Sequence, residues 1–197
     1  MTLKEIKYKI LSLIEELNEK SDLLTDDPDI SSKINSVINQ VQLELSRIKK
    51  IPAKYIYETK KGLQLAIKDI PNCYQINKLN TSKYEIAGEM EIVFDEDVES
   101  EVTIYYYKYP KLIDVIINPQ ENETEVEASK RLDSEYEFEL TTDVLEVLPY
   151  GVAADLLKND MIANYGKYYY ERYNELKQML DPRTTAGIVV CEGGLDF

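Results

Sequence analysis

The spacing of apolar residues changes twice along this 197-residue chain, and these changes constrain the fold more than any single motif. Residues 2–20 and 28–50 repeat apolar side chains at steps of three and four, which is the period of an amphipathic helix. From Pro52 to about residue 109 the apolar runs are short, alternating and rich in β-branched and aromatic residues, which indicates strands. Helical spacing returns at Thr141, breaks at Asn159-Asp160 and resumes in a last helix over residues 161–180.

The helix boundaries are marked by local signals. Thr2 with Glu5 three residues later has the spacing of a capping box, and Asp27 before Pro28 is a typical start for the second helix. We expect these two helices to form an antiparallel hairpin. Pro149 lies inside the later helical pattern, where it either kinks the helix or begins a new one.

The central region predicts a small antiparallel sheet or barrel. We expect strands in five runs: 53–60, 63–70, 73–79, 84–94 and 101–109. Residues 84–94 form one bent strand or two, with Gly88 as a candidate bulge. Residues 111–140 are acidic and poorly periodic, so we expect them to be partly extended.

These elements together predict an α+β protein. Residues 1–51 and 141–182 form a helical body, because neither set of helices has another partner for its apolar stripe. Residues 52–140 form a β-rich insertion, and residues 183–197 form an extended C-terminal arm.

Composition excludes several classes of function. There is no His, which removes Ser-His-Asp and Cys-His catalysis within this chain. The formal net charge is −14, which is unfavourable for general nucleic-acid binding. No apolar run is long enough to span a membrane, the N-terminus is not a signal-peptide core, and the two cysteines match no metal spacing, so we expect a protein made in a reducing cytosol.

The negative charge is concentrated in one part of the sequence. Residues 85–139 contain 17 acidic and 4 basic residues, whereas the remaining chain contains 20 and 19. Two interpretations stay open: a solvated surface that keeps the protein soluble, or a surface that repels a passing polyanion. Five of these acids are too irregularly spaced for a calcium loop and indicate a charged hairpin tip: Asp95, Glu96, Asp97, Glu99 and Glu101.

Tyrosine is the most over-represented residue type, with 16 copies. Five of them crowd the last helix on more than one face, which is more aromatic surface than one core contact needs: Tyr165, Tyr168, Tyr169, Tyr170 and Tyr173. Because tyrosine is enriched at protein–protein interfaces, we expect this helix to contact another subunit. The C-terminal arm has a β-prone core, Ile188, Val189 and Val190, and Phe197 at its end.

Four motifs follow the N-terminal helix pair, and together they span most of residues 1–180. They are Asp69-Ile70-Pro71-Asn72-Cys73-Tyr74, Tyr105-Tyr106-Tyr107-Lys108-Tyr109-Pro110, Leu148-Pro149-Tyr150-Gly151-Val152-Ala153-Ala154-Asp155-Leu156 and Tyr170-Glu171-Arg172-Tyr173-Asn174-Glu175. In order and spacing they resemble the head-to-tail connector (adaptor) proteins of tailed bacteriophages, which lie below the portal in the virion neck.

The resemblance implies a structural protein without catalysis, cofactor or metal. It implies a homo-oligomeric ring of about twelve copies. The ring docks on the portal protein, contacts the next neck or tail-completion protein and lets DNA pass without specific binding. The protein is then made in the host bacterial cytoplasm and located in the virion neck. In that setting the acidic residues face the channel or form a loop tip, the tyrosine-rich helix joins subunits, and the arm docks on the portal or a neighbour.

Three alternatives remain open at this point. The first is another tail structural protein, such as a tail-completion, stopper or baseplate component. The second is an acidic inhibitor that mimics DNA, which should spread its acids over much of its surface rather than cluster them in one segment. The third is an enzyme that works with carboxylates alone.

Overall fold

The computed structural model describes residues 1–88, 90–158 and 164–180. It shows an α+β fold, which confirms the predicted class. The chain divides into two compact units. The helical unit comprises Met1–Lys49 and the described residues from Ile113 to Leu180, and the strand unit comprises Lys50–Leu112.

The predicted boundary of the insertion at residue 140 is wrong, and the strand unit ends at Leu112. Residues 113–140 belong to the helical unit and contain a helix, α3 (Glu125–Glu135), where we expected a partly extended segment. Helix α3 begins at a capping box in which Thr124 and Glu127 each accept a hydrogen bond from the other's backbone N–H. The spacing of Thr124 and Glu127 could have predicted the start of this helix, but the acidic composition of the segment led us to expect an extended chain.

Helices α1 (Leu3–Leu13) and α2 (Pro28–Ile48) begin at the predicted caps. Thr2 and Glu5 form a capping box, and the Asp27 carboxylate accepts hydrogen bonds from the N–H groups of Asp29 and Ile30. Helix α1 is shorter than its apolar stripe suggested, because the chain leaves the helix after Leu13 and Glu15 adopts a positive φ of 61°.

Helix α4 (Thr142–Leu156) is the centre of the helical unit. The sequence had instead predicted that α1 and α2 pack on each other as a hairpin. Both of those helices have α4 as their main partner, and α5 (Tyr165–Leu180) packs along it as well. Helix α4 continues through Pro149 without ending. A proline there has no N–H to donate to the carbonyl of Leu145, and the helix continues although this hydrogen bond is missing. Four large side chains of α4 are almost fully buried: Val144, Leu145, Leu148 and Val152.

The strand unit contains two three-stranded antiparallel sheets. One has the order β1 (Ile51–Glu58), β6 (Glu101–Lys108), β3 (Cys73–Leu79), and the other has the order β2 (Gln64–Ala66), β5 (Glu91–Phe94), β4 (Tyr84–Ala87). Residues 84–94 therefore form two strands, and Gly88 lies between them with a φ of 65°. Both sheets contribute to one core: Tyr57, Leu65, Ile70, Ile92, Phe94, Val102, Ile104 and Tyr106.

Candidate assembly surfaces

The five tyrosines predicted for a subunit interface lie on α5, but the structure divides them into two groups. Tyr165, Tyr168 and Tyr170 are exposed by 61%, 60% and 59% of their surface. Tyr173 is buried and Tyr169 is half-buried, and both turn toward the other helices because residues four apart share a helix face. Only the first three are available to a partner.

The two packed tyrosines fasten α5 to the other helices. The Tyr169 hydroxyl donates a hydrogen bond to the backbone oxygen of Leu13 at the end of α1. The Tyr173 hydroxyl donates to Glu44 Oε2 on α2 at 3.0 Å, and Lys177 Nζ lies 2.8 Å from the other oxygen of the same carboxylate. Burial and the neighbouring Glu44 carboxylate raise the pKa of the Tyr173 hydroxyl, which therefore stays protonated and serves as a donor.

A groove of about 830 Å³ runs beside α5, and sequence analysis did not predict it. Helices α1, α4 and α5 form its walls, with Leu13, Pro149, Leu176 and Met179 among the lining residues. Met179 is exposed by 71% of its surface. The residues next to Met179 in the sequence are typical of a surface. The apolar groove therefore becomes visible only when the three helices are packed together.

The acidic tip, defined here as residues 95–101, connects β5 to β6. Its five carboxylates belong to Asp95, Glu96, Asp97, Glu99 and Glu101, and all five residues are exposed. The predicted hairpin is wrong, because β5 and β6 do not pair with each other and belong to different sheets. Only Asp97 forms an ion pair with a described residue, at 2.7 Å from Lys83 Nζ. This hydrogen bond holds the pKa of the Asp97 carboxyl below its ordinary range and raises the pKa of Lys83. Among the residues that the structure describes, no group of three or more metal-ligating side chains converges.

The outer surface of the β1–β6–β3 sheet carries a set of residues that sequence analysis did not single out. We call it the lysine–tyrosine face and define it by Lys50, Lys54, Lys78, Tyr105 and Tyr107. Lys54 and Lys78 both lie opposite Tyr105, one on each neighbouring strand, and Lys78 Nζ is 5.2 Å from the centre of the Tyr105 ring. Lys50 Nζ is 4.7 Å from the centre of the Tyr107 ring and 2.8 Å from Gln75 Oε1.

The residues predicted for docking in the C-terminal arm lie outside the described residues: Ile188, Val189, Val190 and Phe197. In the described part of the chain, no helix combines the length and apolarity needed to cross a bilayer. Cys73 is partly buried, and burial raises the pKa of its thiol, so its reactive thiolate form is disfavoured.

No protein-family model matches this chain, and a search of curated proteins gives no match. The motifs behind the phage-connector resemblance lie in ordered elements: the first enters β3, the second covers the later half of β6, and the last two lie in α4 and α5. The connector function therefore remains a proposal based on these motifs and on the surfaces described above.

Proposed function

We propose that this chain is a head-to-tail connector (adaptor) of a tailed-bacteriophage neck, which forms a ring below the portal through which DNA passes. The observation that carries the proposal is the exposure of its carboxylates. Of the sixteen described acidic residues in 85–139, fourteen are exposed, Glu123 is half-buried and Asp133 is buried. Exposed carboxylates that face a moving duplex repel its phosphates and offer it nothing to bind.

The structure changes how the acidic surface is distributed. Residues 85–101 lie in the strand unit and residues 114–139 lie in the helical unit, so the acidic segment of the sequence is divided between the two units. The concentration of acidic residues in one segment of the sequence is therefore no longer an argument against an acidic inhibitor that mimics DNA. The inhibitor and the tail-completion or stopper protein remain as outcomes of the test.

The tyrosines of α5 support assembly. Tyr165, Tyr168 and Tyr170 project beyond the helical unit, while the contacts of Tyr173 with Glu44 fix the rotation of the helix. Exposed tyrosines on a fixed helix make a large contact area at a low cost in side-chain entropy, which suits a repeated contact between subunits. Docking of the arm (183–197) on the portal belongs to the same proposal and follows from the resemblance.

Immunogold electron microscopy tests this proposal. An antibody to this chain is applied to intact and tail-less particles of the phage that encodes it, with pre-immune serum as the control. We expect label at the head–tail junction in both kinds of particle. Label at the distal tail would transfer the chain to another tail component. Particles without label, in a lysate that contains the protein, would favour the inhibitor instead.

A further inference from the structure

The register of the β1–β6–β3 sheet places cations around aromatic rings on a single surface. Tyr105 lies between Lys54 and Lys78 across the strands, and Tyr107 lies between Pro52 and Gln75. Because side chains alternate along a strand, Tyr105 and Tyr107 share this outer surface while Ile104 and Tyr106 point into the core. The lysine–tyrosine face is therefore a built arrangement of three strands.

The charges of this face are not neutralised within the described chain. Lys50, Lys54 and Lys78 form no ion pair with any described residue. Next to them, Ile56 is exposed by 56% of its surface and Tyr105 by 38%. A cationic surface with exposed apolar area, in a chain of net charge −14, is complementary to an acidic partner.

The acidic tip lies at the other end of β6. Glu101 is four residues from Tyr105, which corresponds to about 13 Å along a strand. Asp97 is paired with Lys83, whereas the carboxylates of Asp95, Glu96, Glu99 and Glu101 have no ion-pair partner among the described residues. The strand unit is thus acidic at one end of β6 and basic and aromatic toward the other.

We propose that the lysine–tyrosine face binds the acidic tip of a second copy of this chain. The two surfaces are different, so the contact is head-to-tail and repeats from copy to copy. The closure of these contacts into a ring rests on the proposed neck function, whereas the contact itself does not. Within such a ring the tip lies in the contact, and the nine described acids of 85–139 that are exposed outside the tip remain to face the DNA. Nucleic acid is a poorer occupant, because Glu58 and Glu101 lie opposite each other on the same sheet surface and repel phosphates.

The experiment uses charge reversal in the full-length chain. Variant K54E/K78E reverses the face, variant E96K/E99K reverses the tip, and a quadruple variant carries all four changes. Matched controls reverse exposed charges of the strand unit elsewhere: K60E/K68E and E85K/E91K. Self-association is measured by sedimentation velocity at low and high salt, and circular dichroism with thermal unfolding checks that each variant is folded.

We expect each double variant to associate at least about tenfold more weakly than the native chain, and the two control variants to associate as the native chain does. Mixing K54E/K78E with E96K/E99K restores association, because each face then meets a tip of opposite charge, and the quadruple variant restores it alone. Salt weakens the native contact.

Three results would overturn the proposal: a native chain that remains monomeric, double variants that assemble like the native chain, or a loss that neither mixing nor the quadruple variant repairs. A single-stranded oligonucleotide that binds the native chain but not K54E/K78E, with assembly unchanged, would assign the face to nucleic acid. Immunogold labelling locates the chain in the particle and sedimentation measures contact between copies, so each proposal can fail without the other.

Discussion

Lys7 of α1 and Asp133 of α3 form an ion pair inside the helical unit, with Lys7 Nζ 2.6 Å from Asp133 Oδ1. Their side chains are exposed by only 8% and 10%. A lysine is rarely buried to this degree unless an acid accompanies it, and this acid lies 126 residues later in the chain. The pair therefore ties α3, the helix that sequence analysis missed, to the N-terminal helix.

Removing one member of this pair leaves an uncompensated charge in the interior. We expect D133L to lower the free energy of unfolding by about 3–5 kcal/mol, whereas K7M/D133L loses much less because both charges are gone. Urea denaturation measures both, with K4M on the exposed side of α1 as the control. Equal losses in the single and double variants would contradict this account.

Asn39 of α2 holds the chain where it returns from the strand unit. Its Nδ2 donates to the backbone oxygen of Ile113 at 2.8 Å, and its Oδ1 accepts from the Ile113 N–H at 2.8 Å. We expect N39A to cost about 2–4 kcal/mol, because two buried backbone groups lose their partners. Chemical denaturation measures the cost, and Q40A, at the adjacent exposed position, should be nearly neutral. A cost below that of an ordinary surface substitution would rule out this role.

Gly151 allows α5 to approach α4 closely. A Cβ at this position would lie 2.8 Å from Tyr173 Cε2 and 2.9 Å from Val41 Cγ1. Because Tyr173 is held by Glu44, we expect G151A to destabilise the protein by about 1–3 kcal/mol despite the better helix propensity of alanine. The double variant V41A/G151A removes one of the two clashes. If alanine at 151 stabilises the protein, the approach is looser than described.

Asp143 in the first turn of α4 should titrate below the ordinary range of an aspartate. A hydrogen bond from the Thr141 side chain and the nearby Lys49 ammonium, 3.3 Å away, lower the pKa of its carboxyl. The folded state therefore binds this proton less readily than the unfolded state, so the stabilisation is present above about pH 4 and is lost as the pH falls through the folded pKa. Its size is below about 1 kcal/mol, because both side chains are half exposed.

An NMR titration of Asp143 measures this shift directly. We expect T141V and K49M each to raise the pKa of the carboxyl, because each removes a group that lowers it. A pKa unchanged by both variants would exclude these two residues as the cause.

The exposed tyrosines of α5 should contribute to assembly and not to folding. We expect Y165S/Y168S/Y170S to weaken self-association while the free energy of unfolding changes by no more than about 0.5 kcal/mol per substitution. Y173F is the matched control: it removes only the buried hydroxyl that donates to Glu44, so it should lower stability and leave self-association unchanged. Native-like association of the triple variant would remove α5 from the interface.

Much of the fold was predictable because its signals are local. Asp27 and Pro28 mark the start of α2 within three residues of each other, and the breaks at Pro71 and Pro110 delimit β3 and β6. Helix α3 was missed because its buried side chains are Ala128, Ser129 and Asp133, which do not form an apolar stripe. From the sequence alone, Asp133 would be placed on the surface, because its partner Lys7 lies on a distant helix, α1.

The secondary structure of most of the chain and the caps of its helices follow from residues a few positions apart, and the sign of the charge follows from composition. Which tyrosines are free for a partner, and which carboxylates lie in which unit, depends on how distant segments pack. The tertiary structure also places Lys54 and Lys78 opposite Tyr105 on two different strands. These features depend on the register and packing of distant segments, which are settled by burial and pairing across the whole fold.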